Sequence, residues 1–555
     1  MAKQKLTKIA TAAVLIAGGT MLAACGGGSS GNTPGVPTQV TSPPPPPPPP
    51  AQGPTWTQDV FEAASTFKDQ CEAPRSGVDL EGNAFPDMAG SLAEELFWLR
   101  SWTEETYLWN EQVTDQDPNS FTNRLTYFGQ LKTNEVTASG EDLDDFHFSE
   151  PTDEFLERRN STASSGYGVS LIVFSNSVPR DYRIRYTEPN SPASEVVNGQ
   201  AQFVRGSRIL TVDGVDLVDG GSTQADINTL NAGLFPATAG EAHVFEVQDP
   251  GAASSRTITI TSADVAPAPV NRTATVDTAT GKVGYILFNT FSPFSSEEAI
   301  ADAITQMSTE GVTDLVLDLR YNGGGLLAVA SQLGYMIAGP TRTNGKTFEL
   351  LQFNSNAGNV NPVTGATNGP IPFYDTGLGF TLANGTPLDN LDLGRVFILS
   401  TGGTCSASEA VINGLRGIDV EIVLIGDVTC GKPYGFYPTD NCGETFYTIQ
   451  FRGLNEKGFG DYSDGFVPNN SSFTFGERVS GCVASDDINT ELGDPTEGLF
   501  AAALDYRENG TCPAVTPKVA TDVVNSKSGL TNVATTALSE QDDFIASNRD
   551  MTMPW

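Results

Sequence analysis

Four short apolar runs constrain this chain more than any other feature. Residues 283–288, 314–319, 395–400 and 422–426 are apolar almost throughout rather than alternating with polar residues, the pattern of strands buried on both faces. Helical patterns stand between them: an amphipathic stretch at 296–307, a run after Gly323-Gly324-Gly325, and 407–415, stopped by Gly417. This alternation predicts a largely parallel sheet covered by helices, so residues 266–515 are expected to form an α/β core. The segment 340–393, rich in Gly, Asn and Thr, reads as hairpins or an insertion. Loops at the carboxyl ends of such strands commonly carry the chemistry, which directs attention to the residues just beyond each run.

The rest of the 555 residues divides by composition. Residues 1–24 open with Lys3, Lys5 and Lys8, continue with an apolar run and end on small residues, the layout of a secretory signal rather than of a membrane span. Residues 25–56 contain eight consecutive prolines at 43–50, an extended spacer of roughly 25 Å at about 3.1 Å per residue. Residues 57–163 read as a helical region, because Leu92, Leu96, Leu99, Trp102 and Tyr107 recur at near-helical spacing among charged residues. From 164 to 265 the period becomes that of strands, with runs at 169–173, 208–212 and 244–247, and Asn190-Ser191-Pro192-Ala193 is expected to open a helix. Residues 516–555 lack apolar periodicity and are expected to be a peripheral tail.

A net charge of −36 argues against a nucleic-acid or anionic-membrane binder, since polyphosphate recognition needs a basic face. There are two histidines, His147 and His243, and no Cys-x-x-Cys pair, so a zinc site is not expected, nor is any other cofactor. A Ser/His/Asp triad would have to recruit one of these remote histidines, and no Gly-x-Ser-x-Gly elbow occurs. Six cysteines besides Cys25 allow three disulfides in an exported chain, with connectivity open.

Three motifs stand directly after apolar runs. In Asp318-Leu319-Arg320-Tyr321-Asn322-Gly323-Gly324-Gly325, consecutive glycines let backbone N–H groups approach a developing oxyanion, although a tight structural turn would read the same. Thr404-Cys405-Ser406-Ala407-Ser408-Glu409 puts a serine at a strand-to-helix junction, where Ser406 and Glu409 also have the spacing of a capping box. Cys430-Gly431-Lys432-Pro433 places a lysine after the next strand, in a chain with few lysines. A lysine serves as a base for a serine if burial lowers its pKa from about 10.4 toward 7 or 8.

Together these motifs resemble the C-terminal processing peptidases, or tail-specific proteases, a family of Ser/Lys serine peptidases, over roughly residues 90–512. The resemblance implies an α/β catalytic core of crotonase/ClpP-like ββα units with an N-terminal helical region and a PDZ-like β domain. It implies Ser406 as nucleophile, Lys432 as general base, and an oxyanion hole from the N–H of Ala407 with Gly325 or Gly324. Many members orient the lysine with a glutamine four residues on. Phe436 stands there in this chain, so Gln450 or Glu444 substitutes, or the pair works unaided. Gly166-Tyr167-Gly168-Val169 resembles the carboxylate-binding loop of a PDZ domain, in which an edge strand receives an extended peptide. Leu22-Ala23-Ala24-Cys25 resembles the lipobox of bacterial lipoproteins, which implies a lipid anchor on Cys25 and a periplasm-facing or surface location at the outer membrane. Cys405 and Cys430 flank the two catalytic candidates, and a disulfide tying their loops stands against two small buried thiols. The expected partners are peptide or protein substrates and, through the anchor, a membrane. The rival readings are a non-catalytic binding lipoprotein on the same scaffold and a crotonase-like acyl-CoA enzyme.

Overall fold

The structure, a computed structural model, describes residues 53–160, 163–221, 223–513 and 549–550. The leader, Cys25, nearly all of the proline spacer and most of the tail lie outside the described residues.

The core is a six-stranded sheet whose elements fall close to the apolar runs. They are β1 (Val270–Thr278), β2 (Gly281–Phe288), α1 (Ser296–Thr309), β3 (Asp314–Asp318), α2 (Leu327–Thr343), β4 (Arg395–Ser400), α3 (Ala407–Gly417), β5 (Glu421–Gly426), β6 (Gly481–Val483) and α4 (Gly498–Asn509). The strand order is β1-β2-β3-β4-β5-β6, with β1 antiparallel to β2 and every later neighbour parallel. Successive side chains of a strand face opposite ways, and here both faces are covered. Ile286, Leu317, Ile398 and Leu424 join a core with α1, α2 and α3, while Tyr285, Val316, Phe397 and Val423 join a second core with Leu499, Phe500 and Ala503 of α4. Coverage of both faces explains why these strands read as continuous apolar runs. The register pairs Asp318 with Leu399 and Ser400 with Gly426, so β3, β4 and β5 end together and their three loops emerge side by side.

The N-terminal region is less helical than its periodicity predicts. Helices cover Leu92–Thr106, Arg124–Phe128 and Thr152–Arg159, and the remainder is turns and short strands. Its aromatic residues converge on one hub, in which Trp98, Trp102 and Phe128 meet Phe446 of the core, rather than lining a bundle. The buried Arg100–Asp115 ion pair at 2.6 Å fixes the loop beyond the first helix. Phe148–Pro151 of this region pairs antiparallel with Glu444–Tyr447 of the core.

Residues 164–265 form an antiparallel sheet with Val169–Ser175 at one edge. The helix expected at Pro192 is only a three-residue 3-10 turn, Pro192–Ser194. The Ser191 hydroxyl bonds instead to the carbonyl of Glu188 at 2.7 Å, bending the chain there. The helix of this domain is Gln224–Leu234, capped by Thr223 and Asp226, and it lacks an apolar stripe clear enough to read.

Disulfides join Cys71 to Cys442, Cys405 to Cys430, and Cys482 to Cys512. Of the tail, the described residues Arg549–Asp550 form a short strand parallel to Gly325–Leu326. Among the described residues, no helix is long and apolar enough to cross a membrane.

Candidate active site

Ser406 sits where β4 turns into α3, with φ 59° and ψ −110°. A non-glycine residue held at positive φ costs about 1–3 kcal/mol and persists only where its surroundings enforce it. Those surroundings are specific. The Cys405 N–H donates to the carbonyl of Asn322 at 3.1 Å, the Ser408 hydroxyl donates to the same carbonyl at 3.0 Å, and the Thr404 hydroxyl donates to Leu319 O at 2.8 Å. The serine turn is thereby fastened to the glycine loop after β3.

The capping-box spacing of Ser406 and Glu409 resolves into two halves with different fates. Glu409 accepts the Ser406 N–H at 3.0 Å, as a box requires. The Ser406 hydroxyl, buried, has no hydrogen-bond partner among the described residues, so it is not spent on capping the helix. Glu409 also reaches the lysine loop, accepting from the Thr429 hydroxyl at 2.5 Å, Gly431 N at 2.9 Å and Lys432 N at 2.8 Å. One oxygen, Oε2, takes both the Ser406 and the Lys432 amide, and this shared atom brings the two loops together. Burial pushes the Glu409 carboxyl above its ordinary range, against the downward pull of these donors. The Cys405–Cys430 disulfide is a second, covalent tie between the same loops.

Lys432 is fully buried. Its Nζ lies 4.6 Å from the ring centroid of Phe146 and 4.6 Å from that of Phe436. Of the two expected orienting residues, Gln450 is buried, accepts the Tyr437 N–H at 2.8 Å and donates to the Thr106 hydroxyl at 3.4 Å. Glu444 accepts from the Ser149 hydroxyl at 2.6 Å and faces Arg124 at 3.9 Å. Both are thus engaged with the N-terminal region. Phe146 gives no signal in the sequence, because it lies in a loop remote from every motif.

In the glycine loop, Gly324 N donates to the Asn322 side chain at 2.9 Å and is therefore committed. Gly325 (φ 131°) passes so close to the preceding loop that a Cβ there would lie 2.2 Å from Ser292 N, so only glycine fits. The start of this loop is anchored by a fully buried Arg320. It donates to Asp318 at 3.0 Å, to both oxygens of Glu497 at 2.7 and 2.9 Å, and to Asp486 at 2.7 Å. Burial raises Asp318 despite the guanidinium; it also acts to raise Asp486, but Arg320 and Arg205 outweigh it and hold that carboxyl below its usual range. Asp318 and Arg320 are legible only as part of a motif. Glu497 and Asp486 give no sequence signal, being far along the chain.

In the β domain, Gly166 ends a short strand paired with Ala263–Val265 and Val169 begins the edge strand. Gly168 (φ 71°) leaves no room for a Cβ beside Ser191, at 2.3 Å. Tyr167 turns inward, its hydroxyl donating to Gly233 O at 2.8 Å and its ring edge-on to Phe245. Cys405, Glu409 and Cys430 cluster closely enough to suggest a metal, yet both thiols are consumed in the disulfide and the carboxylate by backbone donors.

The fold and the site define a mixed α/β protein with a serine and a buried lysine at the carboxyl end of its parallel strands. Residues 282–435, which hold both, match the family described as Peptidase family S41. A chloroplastic C-terminal processing peptidase of Tetradesmus obliquus is 30% identical over 205 residues, covering 34% of this chain and 42% of the relative. A carboxyl-terminal-processing protease of Picosynechococcus is 30% identical over 188 residues, covering 33% and 41%. The chain thus spans about two-fifths of the length of these curated relatives. A crystal structure described as a candidate S41 protease from Bacteroides fragilis aligns with 77% of this chain and 98% of its own, at a TM-score of 0.55 and 21% identity, and shares the fold.

Proposed function

We propose that this chain is a serine endopeptidase that hydrolyses peptide bonds through a Ser406 acyl-enzyme, with Lys432 as general base. The observation that carries the reading is the shared Glu409 oxygen, which holds the backbone of both residues while the serine hydroxyl has no hydrogen-bond partner among the described residues. Lys432 takes the Oγ proton as Oγ attacks the peptide carbonyl. The oxyanion is met by the N–H groups of Ala407 and Gly325, and the lysine then returns the proton to the leaving amine. Burial of Lys432 is the environment that a lysine base requires, because water would otherwise favour the ammonium. In this reading the domain of residues 164–265 acts as a PDZ-like module. Its edge strand from Val169 and its Gly166–Gly168 loop receive an extended peptide or a protein's C-terminal tail. Cys25 carries a lipid that tethers the enzyme, by way of the proline spacer, to an outer membrane.

Fluorophosphonate labelling and peptide cleavage in the wild type, Ser406→Ala and Lys432→Ala test this. Labelling and cleavage are expected in the wild type and to fall by at least about 10³-fold in both variants. Undiminished activity in both variants excludes the dyad. Peptide binding without any labelling in the wild type favours a binding protein on the same scaffold.

A further inference from the structure

The peptidase reading requires the Lys432 amine to be aimed at Ser406, and the chain places Phe436 four residues beyond it. Two phenyl rings, from distant parts of the chain, meet Nζ at the same 4.6 Å distance. Neither ring is loose. Phe436 is fully buried and packs edge-on to Tyr447 and Phe148. Phe146 is half-buried, its N–H donates to Asp144 at 3.1 Å, and its neighbour His147 is held by Phe128 O at 3.0 Å and by Thr448 at 3.2 Å.

We propose that Phe146 and Phe436 are positioning residues for Lys432, an aromatic clamp that aims the amine and stabilises the ammonium it becomes when it deprotonates Ser406. The inference rests on the peptidase reading of the same site. A ring face attracts a cation through its quadrupole and does so most strongly where water is excluded. A phenyl face is also a weaker hydrogen-bond acceptor than a carboxamide or carboxylate, so it steers the amine without competing strongly for its protons. During attack, the Oγ–H electron pair forms the Oγ–C bond, the carbonyl π pair moves to oxygen, and the proton passes to Nζ. Positive charge therefore develops between the rings as the transition state forms, and an interaction stronger there than in the ground state accelerates the step. The proton later leaves Nζ for the departing amine, restoring the neutral base.

The test replaces Phe436 in the full-length chain by mono-, di- and trifluorophenylalanine, which weakens the quadrupole at nearly constant size, and compares Phe436→Leu and Phe146→Leu. Kcat, KM and the acidic limb of the kcat/KM pH profile are measured on a reporter peptide. The expected result is a stepwise fall in kcat with each fluorine, reaching about tenfold, with KM unchanged and the acidic limb moving to lower pH as the ammonium loses stabilisation. Titratable groups that the contacts place beside the lysine and its rings include Glu409 on α3, which accepts the Lys432 N–H, Asp144, which accepts the Phe146 N–H, and His147, next along the chain. Fluorination leaves all of their side chains intact, so a graded shift of the limb belongs to the rings. A kcat and limb that do not change along the fluorine series overturn the clamp. In parallel, the ¹⁵Nζ signal of Lys432 is titrated in Ser406→Ala carrying the same substitutions. If the wild type neither labels nor cleaves, the peptidase reading fails, and the lysine titration still decides whether the rings hold the charge.

Discussion

The loop junction of the core and the glycine loop of the β domain both combine tight glycines with a strand end in the sequence, yet the structure treats them differently. In the core, three loops are cross-braced by buried polar groups: Glu409 spans two of them, Asn322 joins the glycine loop to the serine turn, and Arg320 anchors the start. In the β domain, Gly166–Val169 is held by local contacts and by Tyr167, whose side chain belongs to the domain's own core. Buried polar bracing is costly to break, because each orphaned group loses its hydration as well as its partner. The difference teaches that the core junction is fixed by buried polar groups and the β-domain loop by backbone shape.

Four experiments would break or sharpen this contrast. The largest effect is expected from Arg320→Met, which strands Asp318 and Glu497 in the interior without a cationic partner and leaves Asp486 with Arg205. A loss of about 3–5 kcal/mol in chemical denaturation is predicted, and a loss below about 1 kcal/mol would show the bracing to be dispensable. Glu409→Gln comes next. The amide keeps the volume but only one good acceptor oxygen for four donors, so fluorophosphonate labelling of Ser406 should slow by about 100-fold while peptide binding persists. Tyr167→Phe removes one hydroxyl bond in the β domain and should cost about 1 kcal/mol of stability with kcat unchanged, measured by denaturation and peptide turnover.

The fourth concerns pH. Burial holds His147 below its ordinary value of 6.5, outweighing the upward pull of Asp144. The unfolded chain then takes up a proton at pH values where the folded chain does not. Stability should therefore be undiminished by this group above about pH 6.5 and decline as the pH falls from there toward the folded pKa. Thermal midpoints measured between pH 7 and 5 should fall less steeply in His147→Gln than in the wild type. Equal slopes would remove His147 as the cause.

Much of the core is legible in the sequence. Residues 395–400 read as a strand and are one, because burial on both faces writes an unbroken apolar run into the chain. Ser406, Lys432 and the glycine loop are legible because they come directly after such runs. The N-terminal region reads as mostly helical and is not: near-helical spacing of Leu96, Leu99 and Trp102 is real within Leu92–Thr106, but the later aromatics point to a common hub. That the Asn322 side chain occupies the Gly324 amide is also illegible, since it depends on a side-chain contact.

The sequence by itself determined the α/β class, the three loops that meet and the serine and lysine they carry, because these depend on short-range periodicity and on residue type at strand ends. Tertiary structure alone decided how Glu409 is shared, that Cys405 joins Cys430, and that Phe146 and Phe436 flank the lysine. Hydrogen bonds, disulfides and ring contacts act over a few ångströms of space and are indifferent to separation along the chain. Local pattern therefore raises the Cys405–Cys430 bond only as one of two readings, and the others emerge when the sheet register brings the loops together.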